Sequence, residues 1–244
     1  MKNYFHIILL LMIYAPVLAQ SDFKKQQLTF ERVKQAYEER WDKLQNDLKK
    51  DEIDKRFSLY IAAYKAEGRL EIWLKGGAQK KYRLFKVYAF CKHSGVLGPK
   101  LKEGDKQTPE GFYYITAFNP LSNFHLSLGI NYPNNIDLLR SANQKPGNDI
   151  YIHGKCETVG CIPITDDKIK ELYVLAIEAR NEGQDEIPVH IFPFKITDVN
   201  LERYLTQFPQ HRSFWTNLQQ GYSYFEKHKQ VPKITMFNNS YQFK

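Results

Sequence analysis

The sequence has only three cysteines in 244 residues, which excludes a small fold held together by a disulfide framework. It also has no apolar run, after its first nineteen residues, that approaches the roughly 20 residues of a membrane-spanning helix. Its content of 43% hydrophobic and 25% charged residues excludes a disordered chain. What remains is a globular protein long enough to bury one sizeable core.

The first nineteen residues have the pattern of a secretory signal peptide. Lys2 gives a positive start, residues 5–14 are mostly apolar, and Val17-Leu18-Ala19 carries the small residues of a cleavage site. A membrane anchor is disfavoured because the apolar run is shorter than the roughly 20 residues of a span and Pro16 interrupts its end. We predict export to the periplasm or cell envelope, with cleavage after Ala19 and no other membrane contact.

The formal net charge of +8 raises nucleic acid as a partner. The basic residues are scattered, and no aromatic-basic signature of an RNA-binding sheet is present. An exported protein rarely meets nucleic acid, so we expect none as a partner. The charge fits a solvated surface and also attraction to an anionic wall polymer.

Hydrophobic spacing divides the chain after the leader into three regions. Apolar residues at helical steps between Phe30 and Leu48 predict an amphipathic helix within residues 20–56. Residues 57–200 read mainly as strands, with one helix capped by Thr165, and residues 201–244 read as a helical extension with a last strand near its end. The predicted strands are 60–64, 70–74, 82–91, 112–118, 124–130, 149–153, 187–194 and 233–237, with loops over 94–111 and 132–148. Strands in the middle with helices on the flanks predict an α+β fold.

The segment from Ile150 to Asp166 carries the chemistry. His153 ends a short strand, and a Gly-Cys pair precedes the next helix. A thiol is a nucleophile only when ionised, and a nearby imidazole can take the proton, so Cys161 and His153 are candidates for nucleophile and base. Gly160 permits a tight bend that aims amide N–H groups at an oxyanion, and Gly154 lets the chain turn away after the base.

Three other interpretations of these residues remain open from chemistry alone. Cys161 and His153 can be a buried structural pair. With Cys156 they can also ligate zinc, although no convincing fourth ligand follows at matching spacing. A Cys156–Cys161 disulfide is a third alternative, and it would abolish nucleophilicity.

The segment resembles the active-site motif of the L,D-transpeptidase catalytic domain, or YkuD-like, family. The resemblance covers residues 81–167, about a third of the chain. Residues 124–134 are similar to the branch of YafK (DpaA)-type proteins. The motif positions are His153-Gly154, Thr158, Gly160, Cys161 and Ile162, preceded by Gly98-Pro99-Lys100, Gly104-Asp105 and Thr108-Pro109-Glu110-Gly111. The resemblance implies a mostly antiparallel β-sandwich or barrel with flanking N- and C-terminal helices.

Two positions depart from the family pattern. Val159 stands where most members have a histidine before Gly-Cys, and Pro163 stands where an arginine usually follows the cysteine. The histidine assigned as base in the family, His153 here, is present. The departures therefore concern substrate contacts and cast doubt on ordinary cross-linking.

The resemblance implies an exported enzyme acting on peptidoglycan stem peptides without metal or cofactor. Cys161, deprotonated by His153, attacks the carbonyl at the L-centre of the stem-peptide diamino acid, while the Gly154 carbonyl orients the imidazole. The acyl-enzyme then passes to an amine, as in an L,D-transpeptidase. The alternative is hydrolysis, either as an L,D-carboxypeptidase or with release of a wall-linked protein or amino acid. A non-catalytic wall-binding module is the alternative from another class.

Four further residues are candidates for substrate binding: His125, Thr158, Arg140 and Asn143. His125 is predicted in a strand, where the other interpretation is a solvent-facing residue, and Arg140 and Asn143 lie in a loop where a surface role competes. If Cys91 and Cys156 pair, Cys161 stays free; both can equally stay reduced.

Rival cysteine peptidases fit the order of the residues less well. Papain-like and NlpC/P60-like enzymes place the cysteine before the histidine, whereas His153 precedes Cys161 by eight positions. Sortases have the histidine first, but with a much longer separation and a required arginine after the cysteine.

Overall fold

The computed structural model describes residues 22–54, 56–142 and 144–244. The predicted signal peptide and Asn143 lie outside the described residues. Within these ranges, no helix combines the length and the apolar character needed to cross a membrane.

The main sheet has eight strands in the spatial order β3-β2-β1-β8-β4-β5-β6-β7. Only the β1–β8 and β6–β7 pairs are parallel, and the other pairs are antiparallel. The predicted α+β class with a mostly antiparallel sheet is confirmed. The strands are β1 (Phe57–Tyr64), β2 (Arg69–Gly76), β3 (Arg83–Ala89), β4 (Gly111–Asn119), β5 (Ser127–Ile130), β6 (Tyr151–His153), β7 (Ile162–Pro163) and β8 (Pro188–Phe192).

Strand β1 shows why the sheet is covered on both faces. Successive side chains of a strand point to opposite faces. Leu59, Ile61 and Ala63 enter one hydrophobic core, and Tyr60, Ala62 and Tyr64 enter a second core on the other side. Because both sets are buried, the strand reads as a continuous apolar run and sits in the middle of the sheet.

Two helices cover the first face. Helix α1 (Glu31–Lys50) buries the stripe formed by Val33, Ala36, Leu44 and Leu48, as its spacing predicts. It packs against helix α3 (Asp166–Asn181), which is buried from Ile169 to Ala179. A shorter helix, α2 (Asn135–Arg140), lies within the predicted loop 132–148. Its signal in the sequence is a capping box, in which Asn134 and Asp137 bond each other's backbone amides.

The C-terminal region covers the second face. It consists of helix α4 (Asp198–Leu205), a 3₁₀ turn (Pro209–His211), helix α5 (Arg212–His228) and a hairpin of β9 (Ile234–Phe237) and β10 (Ser240–Phe243). The second hairpin strand was not predicted, although Asn238 and Asn239 both adopt positive φ, as a tight hairpin turn requires. Trp215 and Tyr241 are buried in the second core, so this extension completes the domain.

Candidate active site

His153 ends β6 and is buried, with 1% of its surface exposed. Its Nδ1 lies 2.5 Å from the Gly154 carbonyl oxygen. A carbonyl oxygen only accepts hydrogen bonds, so Nδ1 carries the proton and Nε2 is left as an acceptor. This is the tautomer that a general base needs.

The surroundings of His153 keep the imidazole neutral. Burial lowers its pKa below the ordinary value, and the bond to Gly154 opposes that shift. The Phe124 ring lies 4.6 Å from the imidazole, centroid to centroid, and shields one side of it. The imidazole is therefore unprotonated near neutral pH.

Cys161 precedes β7 and is a free thiol. In the parallel β6–β7 pair, Ile152 is opposite Ile162, which brings Cys161 level with Tyr151. Tyr151 and His153 are alternate residues of β6, so their side chains point to the same face of that strand. The Sγ–H group donates to the Asp149 carbonyl oxygen at 3.5 Å.

Burial raises the pKa of the Cys161 thiol above its ordinary value. A hydrogen bond from the Tyr151 backbone and the charge of Lys100 act in the opposite direction. The resting thiol is therefore protonated and needs a base to become a nucleophile.

The turn before Cys161 is held by Thr158 and Gly160. The Thr158 hydroxyl donates to the Cys161 carbonyl at 2.7 Å and accepts from the Gly160 amide at 3.2 Å. Gly160 has φ +121°, and a β-carbon there would lie 2.7 Å from the Gln107 backbone oxygen. Thr158 thus shapes the turn, and its predicted substrate contact and the predicted oxyanion role of Gly160 remain predictions.

A cavity of about 200 Å³ opens beside Cys161. One wall is the segment that follows β3, and the other side includes Thr108 and Lys65, the residue after β1. No local sequence pattern indicates these walls, because most of their residues are distant in sequence from Cys161. The lining residues are Lys65, Phe90, Lys92, His93, Ser94, Gly95, Val96, Leu97, Thr108 and Cys161.

A disulfide joins Cys91, two residues after β3, to Cys156 in the motif loop, with their Cα atoms 5.4 Å apart. The Cys91 amide also donates to the Pro163 carbonyl at 3.0 Å. The alternative Cys156–Cys161 disulfide is therefore wrong. The zinc alternative fails as well, since an oxidised Cys156 offers no thiolate.

His125 and Arg140 lie away from the cavity wall. The strand predicted to contain His125 begins only at Ser127; His125 occupies the preceding bend with φ +73°. Its imidazole lies near Asp166 and Lys170, and burial lowers its pKa. The Arg140 guanidinium stacks 3.7 Å above the Phe214 ring. Neither is among the described residues that line the cavity, and their roles in substrate binding remain predictions.

Two solved structures resemble this chain at low identity. One is the helical cell shape determining protein Pgp2 of Campylobacter jejuni, with 17% identity and TM-score 0.45 over 75% of this chain and 74% of that one. The other is Bd1075 of Bdellovibrio bacteriovorus, with 21% identity and TM-score 0.41 over 75% and 78%. Likenesses this weak support no functional statement about this chain.

Sequence relationships are stronger. YafK of Escherichia coli strain K12 is 35% identical to this chain over 185 residues, which are 75% of this chain and 72% of YafK. The name of YafK describes its L,D-transpeptidase activity as unproven. The YafK of E. coli O157:H7 matches equally well. The model of the L,D-transpeptidase catalytic domain, YkuD, matches residues 58–191, a longer stretch than the 81–167 that the motifs indicate. The chain belongs to the L,D-transpeptidase catalytic domain family.

Proposed function

We propose that this protein is an exported cysteine enzyme that modifies peptidoglycan by L,D-transpeptidation. The observation that carries the proposal is a free thiol, Cys161, which lines a cavity and is level with Tyr151, two residues before the buried His153. The Gly154 carbonyl fixes the imidazole proton on Nδ1, which leaves Nε2 able to accept the thiol proton.

In the first half-reaction, Nε2 of His153 takes the proton from Cys161, and the sulfur attacks the carbonyl carbon at the L-centre of the stem-peptide diamino acid. Backbone amides of the turn at Gly160 and Cys161 stabilise the oxyanion as the intermediate forms. The carbon–nitrogen bond then breaks, and the departing amine takes the proton back from His153. A thioester and a free amine are the products.

In the second half-reaction an amine acceptor attacks the thioester, and His153 takes its proton. The carbon–sulfur bond breaks, the proton returns to sulfur, and a new peptide bond replaces the old one. If water is the acceptor, the product is a carboxylate and the enzyme acts as an L,D-carboxypeptidase or releases a wall-linked protein or amino acid. Val159 is 69% exposed and lies two residues before Cys161, at a position where most members of the family have histidine. Because of this departure from the family pattern, hydrolysis remains the alternative.

The test is to incubate the mature protein, residues 20–244, with purified muropeptides and to identify the products by mass spectrometry. Cross-linked dimers identify transfer, and tripeptides alone identify hydrolysis. Cys161→Ala is the control and should yield neither. The same products from Cys161→Ala would contradict the proposed role of Cys161, and no product from wild type would favour a wall-binding module.

A further inference from the structure

The side chains of Lys65, Glu110 and Trp215 meet in a buried cluster on the far side of the cavity wall. Glu110 is fully buried, Trp215 is fully buried, and Lys65 is 8% exposed. The catalytic proposal uses none of the three. Lys65 lines the cavity together with Cys161, so the cluster lies directly behind the site.

Glu110 uses both carboxylate oxygens. Oε1 accepts from the Lys65 ammonium at 2.8 Å and from the Gly98 amide at 2.7 Å. Oε2 accepts from the Trp215 indole N–H, also at 2.8 Å. A charge buried this deeply persists only when it is paired and hydrogen-bonded, and Glu110 satisfies both conditions.

Lys65 uses all three of its ammonium protons. Besides Glu110 it donates to the carbonyl oxygens of Gly98 and Thr108, each at 2.8 Å. Lys65 therefore holds together the two ends of residues 98–108, which we call the clamped segment. With no proton left to donate, Lys65 is a support for the wall and not a ligand for substrate.

The clamped segment touches the turn that carries the nucleophile. Gln107, next to Thr108, has its backbone oxygen against Gly160, the residue before Cys161. At the other end, the ring of His211 lies against Gly98, where a β-carbon would meet Nε2 at 2.5 Å. The C-terminal region thus makes two contacts here: Trp215 of α5 bonds Glu110, and His211, just before α5, lies against Gly98.

We propose that Lys65, Glu110 and Trp215 are positioning residues, through which helix α5 fixes the cavity wall and the Gly160–Cys161 turn. The inference rests on the proposed function for its catalytic consequence. It also gives the C-terminal region a role in the reaction. The contacts form a continuous path of Trp215, Glu110, Lys65, Thr108, Gln107 and Gly160.

Trp215→Phe is the decisive variant, because it removes the indole N–H and keeps an aromatic ring in the core. The chain offers a matched control. Trp73 donates its indole N–H to buried Glu71 at 3.0 Å, and Glu71 is likewise paired, with Arg69 and Lys195. Trp73→Phe removes an equivalent hydrogen bond from an indole N–H to a buried carboxylate, but the acceptor is Glu71 and not Glu110.

Hydrogen–deuterium exchange by mass spectrometry tests the coupling without any substrate. We expect Trp215→Phe to raise exchange in residues 98–111 and 156–163, and Trp73→Phe to leave both segments as in wild type. On muropeptides we expect Trp215→Phe to lower kcat/KM about tenfold, mainly through KM, as loss of a hydrogen bond that orients the wall would do.

Three results would overturn the proposal: increased exchange confined to α5, equal effects of the two variants, or an unchanged kcat/KM in Trp215→Phe. If wild type forms no product, the proposed function fails. The exchange comparison then decides alone whether α5 supports the turn. Lys65→Met serves as the second variant and should raise exchange in the same two segments, residues 98–111 and 156–163.

Discussion

The backbone oxygen of Gln107 lies against Gly160, so closely that a β-carbon on Gly160 would stand 2.7 Å from it. Gly160 also has φ +121°, a conformation that side chains with a β-carbon rarely adopt. Two independent constraints therefore require glycine immediately before Cys161, the proposed nucleophile.

We expect Gly160→Ala to displace the turn and lower kcat/KM by on the order of 100-fold, since a misplacement of about 1 Å costs that much. The measurement is steady-state turnover of muropeptides. Gly104→Ala is the control, because Gly104 also has positive φ but a β-carbon there would have no atom within 4 Å. Equal losses in the two variants would show that strain alone, and not contact with Gln107, explains the effect.

The pH dependence of activity follows from His153. Burial lowers its pKa, so the imidazole stays unprotonated below the ordinary value of 6.5. A base must be unprotonated to act, and kcat/KM should therefore rise with pH along a limb that lies below pH 6.5.

His153→Asn should lower kcat/KM by roughly 10²- to 10⁴-fold and abolish that limb. The measurement is the pH profile of kcat/KM between pH 4 and 9. An acidic limb that stays in place in His153→Asn would assign the base to another group.

His190 gives a stability prediction. It is buried in the second core beside Tyr60 and Phe112, and burial lowers its pKa to about 3. Unfolded chains bind a proton at this residue below pH 6.5, whereas the folded protein does not until about pH 3. The unfolded state thus binds more protons in that window, and the free energy of unfolding falls as pH falls through it.

At pH 4.5 this single group should remove about 2–3 kcal/mol relative to pH 7. His190→Gln removes the titration and keeps a partner for the Tyr60 hydroxyl. Urea unfolding of both proteins at the two pH values measures the effect. If wild type and His190→Gln lose stability equally on acidification, His190 is not the group responsible.

The Cys91–Cys156 disulfide closes a segment of 65 residues. Restricting the unfolded chain over that length contributes about 4 kcal/mol to the free energy of unfolding. We expect the double variant Cys91→Ser and Cys156→Ser to lose that amount in urea unfolding. A thiol assay in denaturant should find one reactive thiol in the oxidised wild type and three after reduction. Three thiols without reductant would contradict the pairing.

The parts of the fold with local signals could be predicted from sequence. The apolar spacing in α1 and α3 depends only on residues within one helix, and His153 and Cys161 are close enough in sequence to be identified together. The strand boundary at His125 could not be predicted. Phe124 and Leu126 continue an apolar alternation, but the backbone bends at His125 before β5 begins.

Long-range pairings left no local signal. Strand β1 pairs with β8 in parallel, with Ile61 opposite Val189, and nothing near either residue specifies the other. The cavity wall and the Glu110–Trp215 bond depend on such pairings. In the sequence, Lys65 is simply a charged residue after an apolar strand. In the fold it is buried and lines the same cavity as Cys161.

Three cysteines allow three single bridges, namely 91–156, 91–161 and 156–161, and the structure contains the one that leaves Cys161 free. During folding the 156–161 pair has an advantage, since closing so short a loop costs roughly 2 kcal/mol less entropy than closing 65 residues. Under oxidising conditions we therefore expect the 156–161 bridge to form first and to block Cys161, the proposed nucleophile. Attack by the Cys91 thiolate on the Cys156 sulfur would then form the 91–156 bridge and release Cys161 as a thiolate, so we expect the yield of active protein to depend on thiol–disulfide isomerisation.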